Sequence, residues 1–291
     1  MILIIGFIIV IGSVIGGLYM GGGSPLVLLH IAEYVIVLGI CFGILVIASP
    51  LHVLKAIVSK FIIALRGGST KKEDYVDLLK MLYQIFMLAR REGIIAVEDH
   101  VTDPKNSHIL QEYESFVSQD ARVDFFRNSF RPVIDGKVKP EQLRDVLNVE
   151  LKVLGKENDE PVRVLALVGD SFPGVGICAA VLGIILTMGS VAEGPEVVGY
   201  KVAAALTGTF LGVYGAYGFV NPVTALIEGN NAGEMNYYEC MATAITSFAG
   251  GFAPLMAVEI ARRGLESHVK PGADELEEML RALPNPSSRN G

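Results

Sequence analysis

Residues 168–190, "VGDSFPGVGICAAVLGIILTMGS", decide the fold. The stretch opens with Asp170 and Pro173, then carries no charge until Glu193. A core helix of a soluble domain does not need so long an apolar run, and a signal peptide would sit at the other end of the chain. At about 1.5 Å of rise per residue, roughly 20 apolar residues cross a hydrocarbon layer of about 30 Å. The reading is a transmembrane helix over roughly residues 164–191.

Three further stretches share this character. They are "ILIIGFIIVIGSVIGGLYM" at 2–20, "YVIVLGICFGILVIAS" at 34–49 and "VAAALTGTFLGVYGAYGFVNPVTALI" at 202–227. The first lacks the basic start and small-residue cleavage site of a secretory signal, so it is expected to stay. The second is short, which places His30 and Glu33 near the membrane interface. The chain as a whole is 51% hydrophobic and 19% charged, with 32 glycines and no tryptophan. That balance points away from an ordinary soluble enzyme. A net charge of −7 without a dense basic tract argues against a nucleic-acid partner. Cys41, Cys178 and Cys240 are far apart, form no CxxC motif, and read as small buried thiols.

Lysine and arginine set the orientation. The link between the first two spans, "GGGSPLVLLHIAE", has neither and reads as a turn between two helices. The link between the last two has Glu193, Glu196 and only Lys201, which can snorkel. Lys55, Lys60, Arg66, Lys71 and Lys72 follow span 2, Arg163 precedes span 3, and Arg262 and Arg263 follow span 4. The positive-inside rule then puts both termini and the central region in the cytoplasm. The fold class is an all-α integral membrane protein: four transmembrane helices with a mainly helical cytoplasmic domain. Its regions are 1–50 (spans 1 and 2), 51–162 (cytoplasmic), 163–227 (spans 3 and 4) and 228–291 (cytoplasmic helices and a disordered tail, "LPNPSSRNG").

Within the cytoplasmic parts, "EDYVDLLKMLYQIFMLARREG" spaces Val76, Leu79, Tyr83 and Phe86 as a helix ending at Gly93. "QEYESFVSQDARVDFFRNSFRPVI" reads as a second helical stretch, and "KPEQLRDVLNVELKVLGKE" as a third, starting near Pro140. "YYECMATAITSFAGGFAPLMAVEIARRGL" reads as helical with a break near Gly250, Gly251 and Pro254.

Catalytic chemistry finds no foothold. The five histidines are scattered, and no HExxH, GxSxG, P-loop or dinucleotide fingerprint occurs. No cofactor or metal site is expected. Inside the spans, Gly12/Gly16, Gly39/Gly43 and Gly208/Gly212 form small-xxx-small pairs that let helices approach. Thr187, Thr207 and Thr209 supply hydroxyls, whose ordinary use is a bond back to the carbonyl four residues earlier. Tyr214 and Tyr217 supply phenols. No acid lies at mid-depth; Asp170 is near the cytoplasmic end of span 3. Any ion movement therefore needs a carrier from a partner. Pro173 and Pro222 lie at matching depth in consecutive long spans, where each removes a helix hydrogen bond.

Several of these stretches together resemble the MotA family, the larger stator subunits of the bacterial flagellar motor. They are "LALVGDSFPGVGICAAVLGIILTMGS", "GTFLGVYGAYGFVNP", "GGFAPLMAVE", "GFIIVIGSVIGG" and "MLYQIFMLARREGIIAVEDHVTDP". The resemblance covers about residues 1–283. It implies four spans, a bacterial inner-membrane location, and a homopentamer around two copies of a MotB-like partner. That partner has one span with an essential aspartate and a peptidoglycan-binding domain, so the missing acid would be the partner's. The resemblance also assigns roles. Pro173 and Pro222 match prolines tied to conformational change near that aspartate. Thr209 matches a threonine of the ion route. Arg90 and Glu98 match a charged pair that engages the FliG-like rotor switch protein. Asp170, Ala180 and Tyr217 are accessory candidates.

Sodium-driven relatives carry a hydroxyl where Ala180 stands and a second threonine where Gly208 stands, which favours protons as the coupling ion. ExbB/TolQ-like energisers are the alternative reading, as is a sodium-driven stator. The energisers usually have three spans, and the N-terminal hairpin and "ARREGIIAVE" favour the motor.

Overall fold

The computed structural model describes residues 2–68, 70–136 and 138–284, and every regular element among them is helical. From residue 285 onward the expected disordered tail lies outside the described residues. In order the α-helices are α1 (Ile2–Met20), α2 (Ile31–Ala48), α3 (Leu51–Arg66), α4 (Lys72–Glu92), α5 (Glu98–Thr102), α6 (Glu114–Val117), α7 (Asp120–Ile134), α8 (Pro140–Met188), α9 (Pro195–Gly215), α10 (Asn221–Ala249), α11 (Pro254–Arg263) and α12 (Ala273–Arg281). A π-helical stretch, Ala216–Val220, joins α9 to α10. Among the described residues four helical stretches are long and apolar enough to cross a membrane: α1, α2, α8, and the run Pro195–Ala249.

α1 matches the expected first span, while the other three run longer than the sequence pattern implies. The third cytoplasmic stretch and span 3 are one helix of 49 residues, α8, rather than two. Nothing between Gly155 and Arg163 supplies a helix-ending cap, and Pro161 is accommodated inside the helix. α2 begins at Ile31, three residues before the expected start, and so takes in Glu33. The stretch around residues 111–134 divides into α6 and α7.

Contacts divide the chain into two units, Met1–Gly68 with Glu157–Asn231, and Ser69–Lys156 with Ala232–Gly291. In the first, α1 and α2 expose most of their apolar side chains, among them Ile8, Ile9, Val35 and Phe42. Lipid tails or neighbouring helices satisfy such a surface in a bilayer, whereas water does not. The turn at residues 21–24 forms as expected, with Gly22 at φ +74°. Lys201 reaches out of α9 to the Ser190 hydroxyl and lies 3.7 Å from the Glu193 carboxylate, as a snorkelling lysine does. α3 is held by Lys60, whose Nζ donates to Asn158 Oδ1 at 2.8 Å and Asn231 Oδ1 at 2.6 Å.

The second unit has an ordinary hydrophobic core. α4 is buried on most of its circumference through Tyr75, Leu78, Leu79, Leu82, Ile85, Phe86 and Ala89. Val76 and Tyr83, expected in its buried stripe, are only half-buried. The Phe86 ring stacks on Phe248 at 4.4 Å. α4 stops at Gly93, whose φ of +94° suits glycine.

Beside this core Arg122, 1% exposed, is saturated with acceptors. Its Nε and Nη2 donate to Glu234 Oε1 and Oε2 at 3.1 and 2.8 Å, and its Nη1 donates to the Ser115 carbonyl at 3.0 Å. Its guanidinium also lies 4.0 Å from the centre of the Tyr237 ring. Burial alone would lower the Arg122 pKa, but the Glu234 hydrogen bonds and the surrounding negative groups raise it instead. Removing one partner of such a pair strands the other charge. Arg122→Met should therefore destabilise this unit by about 3–5 kcal/mol, read as an earlier melting transition by circular dichroism. Arg122→Met with Glu234→Leu should recover most of that loss. A double variant no more stable than Arg122→Met would show that the pair's charge is not what matters.

Candidate functional site

Gly169, Gly176 and Gly183 recur every seven residues along α8 and form one stripe. α9 runs antiparallel against it. A Cβ on Gly176 would sit 2.8 Å from the Gly208 carbonyl oxygen and 2.9 Å from Gly212 Cα. One on Gly183 would meet Ala205 Cβ at 2.7 Å. The two backbones are thus in direct contact, which only small residues permit. Of the three expected small-xxx-small pairs, Gly208/Gly212 makes this contact. Gly12, Gly16, Gly39 and Gly43 face open space in the single chain. The heptad stripe on α8 is the better signal, and it is visible in the sequence.

The same contact brings the two prolines' surroundings together. Gly169 is the residue whose carbonyl Pro173 cannot reach with a helix hydrogen bond. A Cβ on Gly169 would meet Asn221 Oδ1 at 2.0 Å, so the side chain preceding Pro222 occupies that notch. Phe172 is buried, with its ring against Gly215. The π-helical stretch Ala216–Val220 lies just before Pro222, where local rewinding accommodates a residue with no N–H. An apolar cavity of about 230 Å³ opens beside Phe172, Tyr214, Gly215 and Phe219.

The hydroxyls separate cleanly. Thr187 Oγ1 donates to the Gly183 carbonyl at 2.7 Å, and Thr207 Oγ1 to that of Ala203 at 3.1 Å. Thr209 makes no such bond among the described residues and is half-buried. Asp170, Pro222 and Tyr217 are exposed in the single chain, and Pro173 is half-buried. Ala180 is buried, its backbone nitrogen close to Gly208. Cys178 is exposed, contrary to expectation, because it lies on the side of α8 away from the glycine stripe; Cys41 and Cys240 are buried. Glu33, expected near the membrane interface, stands in the first turn of α2, and its side chain is buried.

In the second unit Arg90 lies in the last turn of α4 and Glu98 begins α5; both are exposed. Neither has an ion-pair partner among the described residues, each other included. Each charge suits the helix end that it occupies. Glu98 also lines a cavity of about 330 Å³ with Val101, Thr102, Arg127, Arg131, Ile134 and Asp135, two basic side chains that sequence reasoning did not single out. Behind Glu98, His100 Nδ1 lies 2.7 Å from Ser107 Oγ, and burial, helped by neighbouring His108, lowers its pKa. No cluster able to hold a metal ion occurs among the described residues.

Comparison with known proteins adds a second line of argument. Residues 4–93 match the family model "Motility protein A N-terminal", and residues 118–240 match "MotA/TolQ/ExbB proton channel family". Motility protein A of Escherichia coli is 32% identical over 289 residues, spanning 99% of this chain and 98% of that one. Chemotaxis protein LafT of Vibrio parahaemolyticus is 30% identical over 277 residues, 95% of this chain and 97% of its own. In three dimensions the chain is similar to a solved structure of C. jejuni MotAB, with a TM-score of 0.76 and 20% identity over 91% of this chain and 95% of that chain. The flagellar MotAB stator complex of Bacillus subtilis gives 0.73 and 22%, over 91% and 96%.

Alanine normally improves a helix over glycine by up to about 1 kcal/mol. Gly229, where an added Cβ would meet nothing within 4 Å, should show that gain on Gly229→Ala. Gly176→Ala should instead cost about 1–3 kcal/mol, because its methyl meets backbone that cannot rotate away. Melting of the detergent-solubilised protein compares the two; a stabilised Gly176→Ala would mean that α8 and α9 do not pack at backbone contact.

Proposed function

The chain belongs to the Motility protein A family and is a flagellar stator subunit; from that premise we propose that, with a MotB-like partner, it couples inward proton flow to torque on a FliG-like rotor protein. The observation that carries this reading is the pairing of two features. The long spans bring Gly169, beneath Pro173, against Asn221, beside Pro222, and they leave Thr209 with a free hydroxyl but no acid at mid-depth. A carboxyl from another chain then completes the route. The partner is a single-span, peptidoglycan-anchored subunit, two copies within a ring of five of the present chain. The exposed apolar surface of α1 and α2 and the open glycines at 12, 16, 39 and 43 suit lipid and neighbouring copies. The chain sits in the bacterial inner membrane with both termini and the second unit in the cytoplasm, a placement that the distribution of lysine and arginine supports.

The energy source is adequate. One charge crossing 100 mV releases about 2.3 kcal/mol, several times thermal energy. In this reading Pro173 and Pro222 let spans 3 and 4 change shape as the partner's aspartate gains and loses its proton. Asp170 and Tyr217 flank the route as accessory groups. The four candidate spans, against the three usual in ExbB- or TolQ-type proteins, favour the motor over other envelope energisers.

Arg90 and Glu98 would meet the rotor. Both are exposed and unpaired, so reversing them disturbs no internal ion pair among the described residues. Arg90→Glu combined with Glu98→Lys should abolish most swimming while membrane levels stay normal, and complementary charge reversals on the rotor protein should restore part of it. Normal swimming by the double variant would remove these residues from the interface.

Protons are the coupling ion in this reading, because Ala180 and Gly208 offer no side-chain oxygen and dehydrating sodium without ligands is costly. Rotation of tethered cells should persist in sodium-free medium and stop when the proton gradient is collapsed. Rotation that follows sodium instead would refute the assignment.

A further inference from the structure

One carboxyl in the spans has no role in the reading above. Glu33, in the first turn of α2, is 5% exposed. Its Oε2 is fully enclosed and has no hydrogen-bond partner. No donor reaches Oε1 either among the described residues. The carboxyl is seated between α8 and α9. A Cβ on Gly208 would meet Oε2 at 2.7 Å, and one on Gly183 would meet Oε1 at 3.4 Å. The two glycines that bring these helices together also make the room that the carboxyl fills.

This niche is built for a carboxyl without being built for a fixed charge. On α8 and α9 the carboxyl oxygens lie against Gly183 and Gly208, neither of which titrates. The nearby span threonines, Thr187 and Thr207, have committed their hydrogens to helix carbonyls. Lys201 of α9 is turned to Ser190 and Glu193. The charged or titratable group that acts on Glu33 is His30, one turn earlier, whose Nδ1 and Nε2 are also enclosed and unpartnered and whose ring lies 5.3 Å from that of Tyr200. An apolar side chain would fill the niche at no electrostatic cost, whereas an intramembrane acid is costly and marks function.

We propose that Glu33 is a proton-binding group of this chain itself, with His30 as its electrostatic neighbour, standing on the outward side of the ion route ahead of the partner's acid. Its place on the route rests on the stator reading and its orientation; its ability to bind a proton does not. Glu33 gives the incoming proton a stop within this chain, at the contact where α2 meets both long spans.

The test separates the two. In the full-length chain reconstituted in lipid nanodiscs, infrared difference spectra recorded across a pH titration should contain a protonated-carboxyl C=O band. Glu33→Gln should abolish that band, Glu33→Asp should retain it at a shifted frequency, and His30→Gln should displace its midpoint. An unchanged titrating band in Glu33→Gln overturns the proposal. If Glu33→Gln fails to reach the membrane, an unmoved midpoint in His30→Gln together with an unshifted band in Glu33→Asp overturns it instead. In cells, Glu33→Gln should lose the dependence of swimming speed on external pH, with Glu33→Asp restoring part of it; wild-type speed at every pH in Glu33→Gln removes Glu33 from the route. Should rotation prove independent of protons while the infrared band behaves as expected, the coupling reading fails and the proton site stands.

Discussion

Backbone contact between α8 and α9 is the constraint on which the membrane unit depends. With Gly176 against Gly208 and Gly212, the helices lie closer than any side chain would allow. In lipid there is no hydrophobic force to drive helices together, so close van der Waals packing has to do that work. The consequences follow along the stripe. Gly169 leaves a notch for Asn221, Gly183 and Gly208 leave one for Glu33, and Gly215 receives the Phe172 ring. The side chains with chemical interest sit where missing side chains have made space.

Local features are legible in the sequence and non-local ones are not. The turn at Gly21–Ser24, the stop of α4 at Gly93 and the back-bonded Thr187 and Thr207 each depend on a few adjacent residues. The spans themselves are legible from apolar length alone. The candidate site is only half visible. Pro173, Pro222 and Thr209 stand out by type, but the heptad Gly169, Gly176 and Gly183 is less conspicuous than the shorter glycine pairs, two of which meet nothing in the chain. Charge and nearness to a span end point Glu33 to the interface. Its burial is decided by glycines some 150 residues or more further on. Pro161 invites a division of α8, although a single missing hydrogen bond does not end a helix that has no cap.

The second unit follows the rules of a water-soluble core, and its polar centre is closed rather than open. Arg122 spends its donors on Glu234, Ser115 and Thr70, and Arg262 donates to Glu259 and to the Pro271 carbonyl. Arg90 and Glu98 take no part in that centre: both are exposed and have no ion-pair partner among the described residues.

The second unit is assembled from two separated lengths of chain, Ser69–Lys156 and Ala232–Gly291. That division has a consequence for biogenesis. Phe86 stacks on Phe248, and Arg122 is neutralised by Glu234, so neither residue has its partner while the ribosome is still making spans 3 and 4. At about 5–20 residues per second, the intervening stretch takes on the order of ten seconds to synthesise. During that interval α4 and α7 present an apolar face, and the guanidinium has only Asp74, 3.9 Å away in the finished fold, as a charged neighbour. Synthesis of the last two spans therefore sets the clock for folding of the second unit, and a chain stalled before Glu234 exposes a surface that chaperones and proteases recognise.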